Sequence, residues 1–351
     1  MMKPIISIVI LSFTFLLSNV YAQRYGDADL KLVQSKDRAS RNNDGGLQTL
    51  SAAEHLYRAD VYMANRNFPQ AREHWQTVVT NYPNDTGMSR ALFGMGRSNM
   101  WETNYAQAIF WFDKLIKDYV STFDGLEGLA FKGACLIRLG RDLEAAQTYE
   151  LYASMFPNGN RIDSAYLNII DAYREAGQYD KANIWVAKTQ ARFSGTETEI
   201  NALHARLRME VFRANWRAAI TAADELLTRD RFAGSMAYEN EVKFLKGYAL
   251  ERIGERNTAI SVYTSIPASA TSYFGTVATE RINTLGGNTS FRENLMRSES
   301  KRIARNYPVK YRYELLRYSK FRGIDPRFVL AIMKQESSFR ANAKSPAAAR
   351  G

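Results

Sequence analysis

The chain has 351 residues, of which 46% are hydrophobic and 12% aromatic, so it is long enough for two domains or for one extended array with a sizeable core. Its formal net charge of +11 favours an anionic partner. The single cysteine, Cys135, excludes a disulfide framework and is predicted to be a buried, inert thiol. The three histidines, His55, His74 and His204, lack metal-ligand spacing and are interpreted as helix-surface or packing residues.

The N-terminus has the layout of a secretory signal peptide over residues 1–22. Lys3 precedes a mostly apolar run from Ile5 to Leu17, and Val20 and Ala22 are the small residues expected before a cleavage site. We therefore predict export, with no transmembrane segment left after cleavage. A retained membrane anchor is the alternative, although the run is shorter than the roughly 20 residues that span a bilayer.

Residues 23–50 follow as a predicted flexible linker. The stretch from Gln23 to Leu47 is polar, rich in Asp, Arg, Ser, Asn and Gly, and contains few apolar residues that could hold it to a core.

A repeated pattern begins near Ser51 and predicts a helical solenoid over residues 51–287. Each unit has an amphipathic helix, a short turn, and a second helix with an alanine near its start, where a small side chain lets two helices approach closely. The alanines of the six copies recur every 36 to 40 residues, at Ala71, Ala108, Ala146, Ala182, Ala219 and Ala259. These units resemble the tetratricopeptide repeat family, in which helix pairs stack and bind protein partners.

The chain becomes strongly basic after the paired glycines Gly286 and Gly287. Ten Lys or Arg residues stand against three acids between Arg292 and Arg322. Such a run is typical of a solvated helix face, and the alternative is attraction of an acidic substrate.

A capped helix is predicted after Gly323, which is suited to end the preceding helix. Asp325 is a good N-cap residue and Pro326 suits the first helical position. Phe328, Ile332 and Glu336 are four residues apart and share one face, so Glu336 stands where the pattern calls for a hydrophobic residue.

Burial at that position would raise the pKa of Glu336, and a protonated carboxyl at neutral pH is what glycosidic cleavage needs as its general acid. The alternative is a capping or salt-bridged glutamate near the end of an ordinary helix.

Several motifs of the C-terminal part resemble the opening of the catalytic domain of the soluble lytic murein transglycosylases. The motifs that carry the resemblance are Tyr307-Pro308 with Tyr311, the turn Gly323-Ile324-Asp325-Pro326, the run Gln335-Glu336-Ser337-Ser338-Phe339, and the terminal segment from Lys344 to Gly351. The helix predicted over 272–282 is similar to the segment that precedes that domain in the family. The resemblance implies an all-α protein, with a TPR-like solenoid followed over 288–351 by the first helices of a lysozyme-like domain, truncated at Gly351.

The resemblance also implies an activity and its residues. Glu336 would be the only catalytic residue, acting as general acid and base on the β-1,4 bond between N-acetylmuramic acid and N-acetylglucosamine, with a 1,6-anhydromuramic product. Ser337 would position the sugar. Peptidoglycan glycan strands would be the substrate in the periplasm, in association with the outer membrane or cell wall, with no cofactor, metal or nucleic acid. We expect the 351-residue chain alone to be inactive, and the alternative function is a non-catalytic periplasmic scaffold that binds a protein partner through its repeats.

Overall fold

The computed structural model describes residues 25–42, 45–229, 232–305, 311–340 and 342–343. This part of the chain contains seventeen helices and no strand, which confirms the all-α prediction. The predicted signal peptide, Tyr307-Pro308 and the terminal segment from Lys344 lie outside the described residues. Among the described helices, none combines the length and the apolar character that crossing a membrane requires.

The helices divide between two units, of which the first spans Met1–Tyr238. This unit contains eleven described helices: α1 Asp27–Ala39, α2 Ala52–Ala64, α3 Phe68–Asn81, α4 Met88–Trp101, α5 Tyr105–Tyr119, α6 Phe123–Arg138, α7 Asp142–Met155, α8 Ile162–Glu175, α9 Tyr179–Arg192, α10 Glu197–Phe212 and α11 Trp216–Leu227. From α2 onward each helix packs against the next, and α2 with α4, α4 with α6, and α8 with α10 also touch as first helices of successive pairs.

The repeated alanines are buried in the helix array, as their small size at a fixed repeat position predicts. All six side chains are completely buried. One turn after two of these alanines, a large side chain fills the space that a glycine leaves on the facing helix. A Cβ added at Gly133 would lie 2.5 Å from Cζ of Tyr149, and one at Gly96 would lie 2.4 Å from Cε1 of Phe112. The array is therefore held by small-to-large packing at a fixed repeat position.

The prediction of a flexible segment after the leader is wrong for Asp27–Ala39, which forms helix α1. Its sequence is mostly charged, but Val33 and Asp37 are buried against the first repeat. Long-range polar contacts from α2 and α3 to Asp37, rather than local periodicity, order this helix.

The second unit spans Glu239–Gly351 and contains six described helices. They are α12 Glu239–Arg252, α13 Arg256–Thr264, α14 Tyr273–Thr284, α15 Ser290–Arg305, α16 Arg312–Arg322 and α17 Pro326–Ser337. The first three pack on one another as a sixth repeat and a closing helix. Gly286, with φ of +75°, follows α14 where the sequence predicts a break.

Candidate functional site

The helix that carries the predicted catalytic glutamate has the boundaries that the sequence predicts. Gly323 ends α16 in the left-handed conformation, with φ of +64°. The Asp325 side chain then caps α17 by accepting a hydrogen bond from the backbone N–H of Arg327 at 2.8 Å, and Pro326 occupies the first turn. These local signals place Glu336 in the last turn of a twelve-residue helix.

Glu336 is exposed, and so is the face that it shares with Phe328 and Ile332. The Phe328 side chain is 62% exposed and the Ile332 side chain 45%. The predicted burial of Glu336 is therefore not found in this chain. The reason is that α17 packs chiefly against α16, and no described helix covers its opposite face.

Ser337 is positioned differently from its neighbour. Its side chain is buried, and its hydroxyl donates a hydrogen bond to the backbone carbonyl of Met333 at 2.9 Å. The hydroxyl oxygen keeps acceptor capacity in this arrangement. The structure thus holds Glu336 and Ser337 side by side in sequence, with one side chain in solvent and the other against its own helix.

The backbone turns sharply just after this pair. Ser338 and Phe339 both adopt positive φ, at +49° and +63°, which L-residues rarely do. The N–H of Ser338 bonds to the carbonyl of Lys334, and the N–H of Arg340 bonds to the carbonyl of Ser337, both at 2.9 Å. Left-handed residues are common just after a helix ends, and Arg66, Thr103 and Ala214 adopt the same conformation at turns of the repeats.

The basic run is largely a surface feature. Of the ten Lys and Arg residues between Arg292 and Arg322, those that the structure describes are exposed, except Arg292. The Arg292 side chain is buried and belongs to the packing of the second unit.

A second polar cluster, which the sequence did not reveal, lies in the first repeat. His55 and His74 are fully buried, with their Nδ1 atoms 2.9 Å apart, and His74 Nε2 is 3.1 Å from Oδ2 of Asp37. Asp37 also accepts from Arg58 and from the Tyr62 hydroxyl, both at 2.5 Å. The two histidines are 19 residues apart, one on α2 and one on α3, so only the pairing of these helices brings them together.

The pKa values of this cluster follow from its burial. Burial alone would raise the pKa of Asp37, but hydrogen bonds from His74, Tyr62 and Arg58 together hold it well below its ordinary value. Burial, followed by the neighbouring charges of His74 and Arg58, lowers the pKa of His55 to about 4. The cluster is buried between α1 and the first repeat, and it belongs to a different unit from Glu336, so we assign it to stability.

Two family models match the chain, one in each of the regions that the motifs indicated. The transglycosylase SLT domain matches residues 315–351, which include Glu336 and Ser337. A tetratricopeptide repeat matches residues 55–85, which form most of α2 and all of α3. The class is thus a helical-repeat protein with a C-terminal transglycosylase SLT segment, and the resemblance predicted from the sequence is confirmed.

Solved structures that are similar to this chain include the following three. A tetratricopeptide repeat protein from Parabacteroides merdae is 12% identical and covers 70% of this chain and 97% of its own, with a TM-score of 0.44. The type IV pilus biogenesis factor PilW is 15% identical over 64% of this chain and 97% of its own, with a TM-score of 0.40. BtubC from P. vanneervenii is 10% identical over 68% of this chain and 94% of its own, with a TM-score of 0.41. No curated protein matches the chain.

Proposed function

We propose that this protein is a peptidoglycan lytic transglycosylase whose catalytic residue is Glu336. The observation that carries the proposal is the match of the SLT domain over the segment that contains this glutamate. The capped helix α17 and the turn after Ser337 support it, because they fix the Glu-Ser pair at a defined point of the backbone.

In the proposed reaction Glu336 acts twice. As a general acid it donates its proton to the oxygen of the β-1,4 bond between N-acetylmuramic acid and N-acetylglucosamine, and the N-acetylglucosamine end leaves as an alcohol. The carboxylate then accepts the proton of the muramic 6-hydroxyl, whose oxygen attacks the anomeric carbon. A 1,6-anhydromuramic end forms, no water is consumed, and Glu336 returns to its protonated form. Ser337 would contribute its hydroxyl oxygen as an acceptor that positions the sugar.

The proposal places the protein in the periplasm, where its substrate is found. The signal-peptide pattern of residues 1–22 supports export, and the SLT match supports a peptidoglycan substrate. The tetratricopeptide match supports additional contacts with proteins.

The test compares the Glu336→Gln and Glu314→Gln variants of the protein. Both glutamates are exposed and lie in the matched region or next to it, so the two variants make the same chemical change. Digestion of purified sacculi followed by mass spectrometry of the muropeptides should show anhydro products for the parent and for Glu314→Gln. Glu336→Gln should reduce them by at least about 100-fold, the low end for loss of a general acid. Equal product from both variants would refute the assignment.

Glu336 is exposed to water in the described structure, whereas proton donation to a sugar oxygen at neutral pH needs a site from which water is excluded. We therefore expect release of anhydromuropeptide only where the exposed side of Glu336 is covered.

The second candidate function is a periplasmic scaffold that binds a protein partner through the repeats. It is favoured by the tetratricopeptide match and by apolar side chains exposed at equivalent repeat positions, Phe110 at 45% and Ile184 at 55%, each two residues after a buried alanine. If this function is the correct one, Phe110→Ser with Ile184→Ser will abolish the protein's role in cells while Glu336→Gln leaves it unchanged.

A further inference from the structure

The positive charge of this protein is concentrated at one end of the chain. Residues 1–287 contain 32 Lys and Arg against 31 acids, whereas residues 288–351 contain 15 against 5. Nearly all of the net charge of +11 therefore belongs to the last part of the chain. Residues 1–287 are close to neutral overall, so their net charge gives little attraction for an anion.

Helix α15 is held to the preceding repeat by two polar anchors on one face. Arg292 is buried and donates to Oγ1 of Thr279 at 2.9 Å and to the carbonyls of Thr264 at 3.2 Å and Gly275 at 3.3 Å. Burial lowers the pKa of Arg292, and its acceptors in this site are neutral oxygens.

Glu299 is the second anchor, seven residues later and therefore on the same face. Its Oε2 accepts from the backbone N–H of Ala270 at 2.8 Å and from the hydroxyl of Ser269 at 2.9 Å. The N–H of Ala270 and the Ser269 hydroxyl together lower the pKa of Glu299, so the carboxylate keeps its charge and its hold on the loop. The two anchors fix the rotation of α15 about its own axis.

The opposite face of α15 presents a row of cations, Arg297, Lys301 and Arg305. Nine residues separate Arg292 from Lys301, which is half a turn of rotation away from the anchored face. The three cations follow one another at intervals of four residues, or about 6 Å along the helix. All three are exposed, and none forms an ion pair with any carboxylate that the structure describes. We refer to them as the cationic ridge.

Such a row opposes helix formation, because like charges four residues apart repel each other. The helix dipole offsets this repulsion for the last cation, Arg305, but does so little for Arg297 near the middle. An exposed, repulsive row on a helix that buried polar bonds hold in one orientation is a preformed surface for an anion with several charges.

We propose that the cationic ridge binds an extended polyanion, and that this ligand is the peptidoglycan wall through the carboxylates of its peptide stems. The identity of the ligand rests on the proposed function, whereas the polyanion surface rests on α15 alone. A membrane surface fits less well, because interfacial helices bury a broad apolar face, and the only large apolar side chains that α15 exposes are Phe291 and Leu295.

The test is cosedimentation of the purified protein with sacculi across a range of salt concentrations. The ridge variant carries Arg297→Gln, Lys301→Gln and Arg305→Gln. The matched control carries Lys117→Gln, Arg138→Gln and Arg217→Gln, which remove the same charge from exposed cations of the repeats. Each exposed ion pair between a ridge cation and a wall carboxylate contributes little on its own. The loss of all three should weaken binding by about threefold or more at low salt and make binding less dependent on salt concentration.

Two further probes identify the ligand. Sacculi whose carboxyl groups have been amidated should bind the parent protein as weakly as untreated sacculi bind the ridge variant. Vesicles of phosphatidylglycerol should bind the parent more weakly than sacculi do. Equal binding of the ridge and control variants to sacculi would overturn the proposal, as would undiminished binding to amidated sacculi or a preference for vesicles.

The outcome is separable from that of the proposed function. If the ridge variant loses binding but the parent protein releases no anhydromuropeptide, the wall-binding surface stands and the enzyme assignment falls. Circular dichroism of both triple variants should be unchanged, which excludes unfolding as the cause of lost binding.

Discussion

Replacing Asp37 with asparagine tests whether polar contacts are what order helix α1. The carboxylate accepts three hydrogen bonds, from Arg58, Tyr62 and His74, at 2.5, 2.5 and 3.1 Å. An asparagine side chain offers one acceptor oxygen and places an NH2 group against donors. Arg58 would then keep only Glu54, at 2.8 Å, as its charged partner.

The magnitude follows from these partners. Removing one member of a buried ion pair costs about 3–5 kcal/mol when the other charge is left alone. Because Glu54 still compensates Arg58, we expect a loss at the lower end, about 3 kcal/mol. Helix α1 buries few apolar side chains, Val33 among them, so the loss should appear as local opening of this helix and not as unfolding of the array.

Amide hydrogen exchange measured by mass spectrometry gives the readout. A loss of about 3 kcal/mol predicts exchange roughly 100-fold faster across Asp27–Ala39, with exchange in α6 unchanged. Asp27→Asn is the matched control, since Asp27 lies in the same helix and is exposed. It removes a favourable charge from the first turn, which is worth at most about 1 kcal/mol, or about fivefold in exchange. Similar acceleration by the two variants would show that Asp37 is an ordinary helix residue.

Two other predictions concern the pH dependence of stability and the packing of the repeats. Because the pKa of His55 is lowered to about 4 in the folded protein, the unfolded chain binds more protons as pH falls from about 6.5 toward 4, so stability should fall over that window by on the order of 3 kcal/mol and then level off. Urea unfolding at pH 7.5 and 4.5 measures this, and His55→Asn should remove most of the dependence. Gly133→Ala should destabilise the array by about 1 kcal/mol despite the better helix propensity of alanine, because the new Cβ would press on the Tyr149 ring. Thermal unfolding checks it, and a variant more stable than the parent would show that the ring moves aside.

The repeats could be predicted from the sequence because their signals are local. A turn and an alanine at a constant interval are sufficient to mark where two helices must touch, and Ala71 and Ala259 are both fully buried. The same holds for the start of α17. Gly323 ends the preceding helix and Asp325 caps α17, and both effects involve only residues close by in sequence.

Helix α1 and the histidine pair could not be predicted because their partners are distant along the chain. Asp37 is 21 residues from Arg58 and 37 from His74, and neither spacing has a periodicity to detect. The environment of Glu336 was missed for a related reason. The pattern gives the face on which a side chain lies, but burial depends on which element packs against that face.

The exposed face of α17 bears on the choice between the two proposed functions. A general acid needs Glu336 in a site with little water, with Phe328 and Ile332 covered, whereas a scaffold makes no such demand. Binding to the wall through the cationic ridge is compatible with either function, since a scaffold held at the wall would use the same charges. Binding of a partner through Phe110 and Ile184 is likewise compatible with both, because an enzyme can be recruited by its repeats. Only bond cleavage that depends on Glu336 separates an enzyme from a scaffold, so the anhydro product, and not affinity for any ligand, is the measurement that assigns the function.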